Sequence, residues 1–245
     1  MCPDIKKGAI FISDAHENDK RDYFYRFLCM VESKEINPTQ LFLMGDMFDL
    51  LIGEIRYLKD KHKKYIELID KIAQNIEVFY FEGNHDFSLK NIFDSVNVID
   101  IDMQPAVFRI SNQKVLLSHG DKYGGKIHTF YTKIIRNSAL LKTLNKIDEL
   151  GNFFISKKIE KKLLKKKICT KISNFKEIIS KKIEKYINIK VDIIAEGHYH
   201  QNRSFWNKKY KYINFSSFAC NQSYFIVQYD SNINFIEKKL RGNDV

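Results

Sequence analysis

Apolar positions recur along the chain with two distinct periods. Short runs of β-branched and aromatic residues, Ala9-Ile10-Phe11-Ile12, Leu41-Phe42-Leu43-Met44, Ile76-Glu77-Val78-Phe79-Tyr80-Phe81, Val115-Leu116-Leu117 and Val191-Asp192-Ile193-Ile194, predict buried strands. Between them Phe24, Phe27, Leu28 and Val31, and then Leu58, Tyr65, Ile66, Ile69 and Ile72, keep three- and four-residue spacing. That spacing predicts two amphipathic helices, the first closed by Asn37-Pro38. The lysines of the second helix form a solvated face, on which His62 is read as a surface residue. Residues 96–101, 106–110 and 114–117 predict short strands with a hairpin around Ser111-Asn112-Gln113.

Beyond residue 126 the period changes. Ile127, Phe130, Tyr131, Ile134, Ile135, Leu141 and Leu144 predict one helix, and Ile155, Ile159, Leu163, Leu164, Ile168 and Ile172 predict a second. Phe175, Ile178, Ile179, Ile183 and Ile187 predict a third, with breaks at Gly151-Asn152 and Ser173-Asn174. Alternation returns in residues 210–215, 224–229 and 233–236, which read as antiparallel strands, with Trp206 a surface or edge aromatic.

Length and charge refine this picture. With 245 residues and 44% hydrophobic content, the chain fits a single domain, residues 1–245, carrying residues 126–190 as a helical insertion. The net charge is +11, but residues 122–190 hold 19 Lys/Arg against 5 Asp/Glu, leaving the remainder at 22 against 25. The positive charge is therefore a local surface, and no nucleic-acid partner is favoured. Cys2, Cys29, Cys169 and Cys220 lack paired spacing and are read as reduced thiols of a cytoplasmic protein. The first residues lack the apolar core of a signal peptide, and no run reaches the ~18 apolar residues of a spanning helix. No protein partner is inferable.

Candidate chemistry sits where the strands end. Asp14-Ala15-His16, Gly45-Asp46, Gly83-Asn84-His85-Asp86, Ser118-His119-Gly120-Asp121 and Gly197-His198-Tyr199-His200 each follow an apolar run. Carboxylate, imidazole and amide groups from several elements are what two divalent ions clamping a phosphate require. The ordered set D-x-H, G-D, G-N-H-D, H-G and G-H-x-H resembles the calcineurin-like metallophosphoesterases. Gly45-Asp46-Met47-Phe48-Asp49-Leu50-Leu51-Ile52-Gly53 and Asn84-His85-Asp86-Phe87 resemble stretches of the UDP-2,3-diacylglucosamine pyrophosphatases of lipid A synthesis, many of which carry Arg in place of His85.

The resemblance implies an α+β, four-layer αββα sandwich with the insertion as a lid. It implies one ion held by Asp14, His16, Asp46 and His200, a second by Asp46, Asn84, His119 and His198, and manganese as the metal. His85 is left to stabilise transition-state charge or protonate the leaving oxygen, with Asp86, Asp121 and Lys122 around the substrate. Asp86 and Asp121 are also candidates to orient imidazoles, with a turn-forming structural role the equal alternative for both. Hydrolysis of UDP-2,3-diacylglucosamine to UMP and the diacylglucosamine 1-phosphate, on the cytoplasmic face of an anionic inner membrane, is the expected activity. The competing expectation is a soluble phosphoesterase acting on a nucleotide, phosphoprotein or nucleic acid. A non-catalytic scaffold would not need the full ligand set.

Overall fold

The computed structural model describes residues 2–122, 132–184, 190–207, 209–230 and 232–240. The expected helical positions Ile127, Phe130, Tyr131 and Ile187 lie outside the described residues.

In chain order the elements are β1 (Ile10–Ile12), α1 (Tyr23–Glu32), β2 (Gln40–Leu43), β3 (Leu51–Ile52), α2 (Arg56–Ala73), β4 (Glu77–Phe81), β5 (Asp86–Phe87), β6 (Asn97–Ile99), β7 (Ala106–Ile110) and β8 (Gln113–Ser118). The insertion follows with α3 (Ser138–Leu150), α4 (Phe154–Leu163) and α5 (Phe175–Ile183). The chain then runs through β9 (Ile193–Glu196), β10 (Arg203–Trp206), β11 (Lys211–Asn214), α6 (Phe218–Asn221), β12 (Ser223–Tyr229) and β13 (Ile233–Lys239).

A six-stranded sheet is ordered β13-β12-β1-β2-β4-β6, and a five-stranded sheet is ordered β10-β11-β9-β8-β7. Alternation along each strand decides what lies on its two faces. Phe11, Phe42, Phe79 and Phe81 turn inward and meet Phe108, Val115, Leu117, Ile193 and Phe215 of the second sheet. Ile10, Ile12, Leu41 and Leu43 turn outward under Phe24, Phe27 and Leu28 of α1 and Leu58 and Ile69 of α2. On the far side Leu116, Ile194 and Tyr212 pack under Phe175, Ile179 and Ile183 of α5. The layers are thus helix, sheet, sheet, helix, the expected α+β sandwich. Both faces of the central strands are buried, so the sequence shows unbroken apolar runs instead of alternation.

The topology positions the chemistry. β1, β2 and β4 are mutually parallel, as are β8, β9 and β11. Their carboxyl ends therefore emerge along common edges, and the motif loops are the segments that leave those ends.

Three expectations are corrected. The helix expected to run to Ile172 stops at Leu163. Beyond it the backbone is satisfied by side chains: Gln201 Oε1 accepts from Ile172 N at 2.8 Å, and Gln201 Nε2 donates to Thr170 O at 2.8 Å. Apolar spacing alone does not hold a helix whose backbone finds other partners. His62 is 4% exposed, packed against Phe48 with 4.5 Å between ring centroids, because it falls on the core side of α2 despite its lysine neighbours. Cys169 and Cys220 are joined in a disulfide, not reduced, since the fold brings together two residues separated by 51 positions.

Candidate metal centre

Several ligand candidates sit in backbone conformations that L residues rarely adopt. Asp14, His16, Asp46, His198 and His200 have φ between 45° and 64°. Such residues cost of order 1–3 kcal/mol each and persist only where the surroundings enforce them. Here the enforcement is a mesh of backbone bonds: Asp14 N donates to Gly45 O at 3.1 Å, His16 N to Asp46 O at 3.0 Å, and Ala219 N to Asp14 O at 3.1 Å. Glycine is required at two points of closest approach. Gly45 has φ +88° and faces the His119 ring, while a Cβ on Gly83 would collide with the Asp46 carboxylate.

The side chains converge in overlapping groups. Asp14, His16 and His200 offer donor atoms within 4.8 Å of one another, as do Asp46, His119 and His198, and also His16, Asp46 and His85. Asp46 and His16 each belong to two of these groups, and of the two only Asp46 has a pair of carboxylate oxygens to share. His200 donates through Nδ1 to the carbonyl of Ile168 at 2.7 Å, which leaves the Nε2 lone pair pointing inward. That Nε2 lies 3.0 Å from Asp14 Oδ1 and 3.3 Å from His16 Nε2. His119 likewise gives its Nδ1 proton to Met44 O at 2.9 Å, and its buried Nε2, 3.4 Å from Asp46 Oδ2, has no hydrogen-bond partner. Asn84 Oδ1 is also buried without a partner. Imidazole Nε2 atoms and carboxylates facing one another, with the Nδ1 atoms of His119 and His200 already bonded to carbonyls, fit divalent cations of mixed N/O preference.

Electrostatics agree. Burial disfavours charge on His119, but the Asp46 and Asp14 carboxylates outweigh it and hold its pKa well above the imidazole range. Burial opposes the Asp14 carboxylate too, yet the charge and hydrogen bond of His200 bring it down to about 2. His198 is pushed down to about 3 by burial and by the neighbouring His119. The buried carboxylates thus draw positive charge onto the imidazoles that face them, a charge that a bound cation would supply instead.

The remaining candidates fall in different places. The Asp86 carboxylate is fully buried and accepts from Asp46 N at 2.8 Å, Met47 N at 2.6 Å, Gly83 N at 2.9 Å and Tyr80 Oη at 2.7 Å. It shapes the two ligand turns from behind, whereas carbonyls do the orienting of His119 and His200. Asp121 is 3% exposed, without a hydrogen bond, and lies 3.9 Å from Arg136 Nη2. Lys122 Nζ donates to the carbonyls of Gln104 and Asp102. His85 donates through Nδ1 to Asp49 O at 2.7 Å and meets Lys166 Nζ at 3.2 Å through Nε2.

Sequence reasoning did not single out four residues that build the site. Asp49, 3.2 Å from His16 Nδ1, is held by Arg21. Arg136 of the insertion donates to Gly83 O at 2.6 Å and Glu82 Oε2 at 2.8 Å, gripping the Asn84 turn. Buried Lys182 of α5 pairs with Glu196 at 2.9 Å and donates to Gly120 O at 2.6 Å. Lys166 is the fourth. All except Asp49 lie in the basic insertion, where composition makes single cations indistinguishable, while Asp49 belongs to the quoted G-D-x-F-D loop and was findable there.

The chain is similar to several known proteins. A UDP-2,3-diacylglucosamine hydrolase of Vibrio atlanticus is 24% identical over 201 residues, covering 78% of this chain and 80% of the relative. That of Coxiella burnetii strain Dugway 5J108-111 is 27% identical over 116 residues, so the match spans about half, 47%, of either chain. A solved phosphoesterase from E. coli, Yfce, aligns over 95% of this chain and 99% of its own at 14% identity and a TM-score of 0.45, too distant to add to the argument. The model of the calcineurin-like phosphoesterases matches residues 9–202, the span that contains every ligand loop described above, and on that match the chain belongs to this family.

Proposed function

We propose that the protein is a manganese-dependent hydrolase that cleaves the diphosphate of UDP-2,3-diacylglucosamine to UMP and 2,3-diacylglucosamine 1-phosphate. In this reading Asp14, His16, Asp46 and His200 hold one ion and Asp46, Asn84, His119 and His198 the other. When bound, the pair supplies Lewis acidity toward phosphoryl oxygens and lowers the pKa of water. The chain's own groups do the rest. His85, with Nδ1 fixed on Asp49 O, keeps Nε2 aimed at the space where Lys166 enters, the position from which an imidazole protonates a leaving oxygen or steadies its charge.

The observation that carries the choice of substrate is the meeting of Lys166 and His85. It brings a cation of the insertion to 3.2 Å from the site, so the insertion reaches whatever phosphate occupies the centre. The same insertion exposes an apolar face, with Leu150 91%, Phe154 63%, Ile147 52% and Ile159 42% exposed, beside Lys157, Lys158, Lys161 and Lys162. Apolar surface with interspersed lysine suits an acylated anion and an anionic bilayer surface. No helix among the described residues is long and apolar enough to cross a membrane. In the proposed reading the insertion acts as a lid and the chain works peripherally on the cytoplasmic face of the inner membrane.

His85 favours a second reading, a broader phosphoesterase, since many lipid A pyrophosphatases carry Arg there. Acyl dependence separates the two. The lipid reading expects Ile159→Asp to raise KM for the diacylated substrate and to leave bis(p-nitrophenyl) phosphate hydrolysis unchanged. Equal losses on both would indicate a structural hairpin in place of an acyl-binding lid.

A further inference from the structure

The Cys169–Cys220 disulfide joins two segments that hold neighbouring ligands. Cys169 lies in the irregular stretch between α4 and α5. Just before it the chain reaches the centre: one residue back, Ile168 O accepts the Nδ1 proton of His200 at 2.7 Å, and three residues back, Lys166 Nζ meets His85. Cys220 lies in α6, whose first turn is anchored on the other side of the same pair. Phe218 N donates to Ser13 O at 2.8 Å, Ala219 N to Asp14 O at 3.1 Å, and Ser217 Oγ to Asp14 O at 2.8 Å. The sulfur bridge therefore ties the carbonyl that orients His200 to the turn that fixes Asp14, and these two side chains meet at 3.0 Å.

Both cysteines are exposed. A thiolate from solution can approach either sulfur, and exposed disulfides are the labile ones in thiol–disulfide exchange. The other polar ties of this stretch to the body, Ile172 N to Gln201 Oε1 and Gln201 Nε2 to Thr170 O, pass through one flexible glutamine side chain.

We propose that Cys169 and Cys220 form a thiol–disulfide exchange site for a dithiol reductant, whose redox state sets the order of His200 at the metal centre. One thiolate of the reductant attacks a sulfur of the pair, giving a mixed disulfide and a protein thiolate. Its second thiolate then displaces the remaining protein sulfur. The protein gains two electrons and two protons as two thiols, and the reductant leaves as its own disulfide. With the bridge open, residues 164–174 move away from the body, the Ile168 carbonyl no longer fixes the His200 tautomer, and the ion held by Asp14, His16 and His200 is weakened. Loss of such an outer contact costs about 10–100-fold in metal affinity. The inference rests on the two-ion part of the proposed function and is independent of the lipid substrate.

The test compares the air-oxidised chain with the same chain treated with dithiothreitol and desalted without oxygen. Thiol titration in denaturant is expected to rise from two, the free Cys2 and Cys29, to four. Mn²⁺ titration by calorimetry or electron paramagnetic resonance is expected to show one of two sites weakened about 10–100-fold on reduction, the other kept, and both restored by reoxidation. The Cys169→Ser/Cys220→Ser variant is expected to bind as the reduced chain and ignore the reductant, while Cys29→Ser responds as the parent does. Should the double variant not fold, the oxidised and reduced parent alone decide. Four thiols in the air-oxidised chain, or equal Mn²⁺ affinities with two thiols and with four, overturn the proposal. A chain that shows the Mn²⁺ response but leaves UDP-2,3-diacylglucosamine intact overturns the substrate and not the exchange site.

Discussion

The edge that carries the ligands and the insertion beside it are held by different forces. Along the edge, Asp14, His16, Asp46 and His119 are at most 2% exposed, locked by backbone bonds between consecutive loops and by Asp86 behind them. Within the insertion α5 packs its apolar side under the second sheet, through Phe175, Ile179 and Ile183. The helices α3 and α4 instead expose large apolar side chains, and their ties to the body include Glu160 on Tyr57 at 3.0 Å and on Lys61 at 2.8 Å. A buried edge costs several kcal/mol to rearrange, while a partly exposed ion pair such as Lys61–Glu160 contributes ~1 kcal/mol or less. In the proposed reading the buried edge carries the chemistry and the insertion selects the substrate.

Changes in the edge should therefore dwarf changes in the insertion. Asp46→Ala removes the ligand shared between groups and is expected to cut bis(p-nitrophenyl) phosphate hydrolysis by more than ~10⁴-fold, with metal analysis showing loss at both sites. Retention of two ions with normal turnover would break the assignment. His85→Ala is expected to slow turnover by about 10²–10⁴-fold with metal content unchanged, which single-turnover kinetics and metal analysis together would check. Gly83→Ala pushes a methyl group against the Asp46 carboxylate and is expected to weaken Mn²⁺ by about 10–100-fold, read by calorimetry.

The pH dependence of stability sharpens the same contrast at α2. Burial, helped by the charge of Lys61, lowers His62 from 6.5 to about 4. Its folded pKa is depressed, so its contribution is fully present above pH 6.5 and is lost progressively as pH falls toward 4, where the unfolded chain binds a proton that the folded chain refuses. The loss is on the order of 3 kcal/mol. Denaturant unfolding of the metal-free chain should show this drop between pH 6.5 and pH 4, and His62→Gln should flatten it. Equal slopes would place His62 in water.

The smallest effect lies on the insertion surface. Replacing Lys157, Lys158, Lys161 and Lys162 with Gln is expected to cost about 1 kcal/mol per residue in binding to anionic vesicles at low salt, measured by sedimentation. Binding that does not respond to salt would remove the electrostatic part of the reading.

What could be read from the sequence follows the same division. Asp14-Ala15-His16, Gly45-Asp46 and Gly83-Asn84-His85-Asp86 were legible because each ligand lies within a few residues of the strand that aims it. Local order decides such positions. The disulfide pairs residues 51 apart, and no local pattern marks either partner. Lys166 was one of many lysines on an expected helix, and its approach to His85 exists only because that helix stops at Leu163. His62 was misplaced because lysines flank it, although positions 58, 62, 65 and 69 share one face at helical spacing. For Asp86 the sequence left orientation of an imidazole and a turn-forming role both open, and its bonds to the backbone of Asp46, Met47 and Gly83 give the second, since sequence shows neighbours but not which way a carboxylate turns.

Product analysis with UDP-2,3-diacylglucosamine, beside the unacylated UDP-sugar, tests the account most directly. Burying a few methylenes of one acyl chain contributes ~0.8 kcal/mol each, so the acylated substrate is expected to have a kcat/KM about 100-fold higher or more. Its products should be UMP and 2,3-diacylglucosamine 1-phosphate. Equal kcat/KM for the two substrates, or hydrolysis of the unacylated compound alone, would contradict the claim that the insertion selects a lipid for the metal centre.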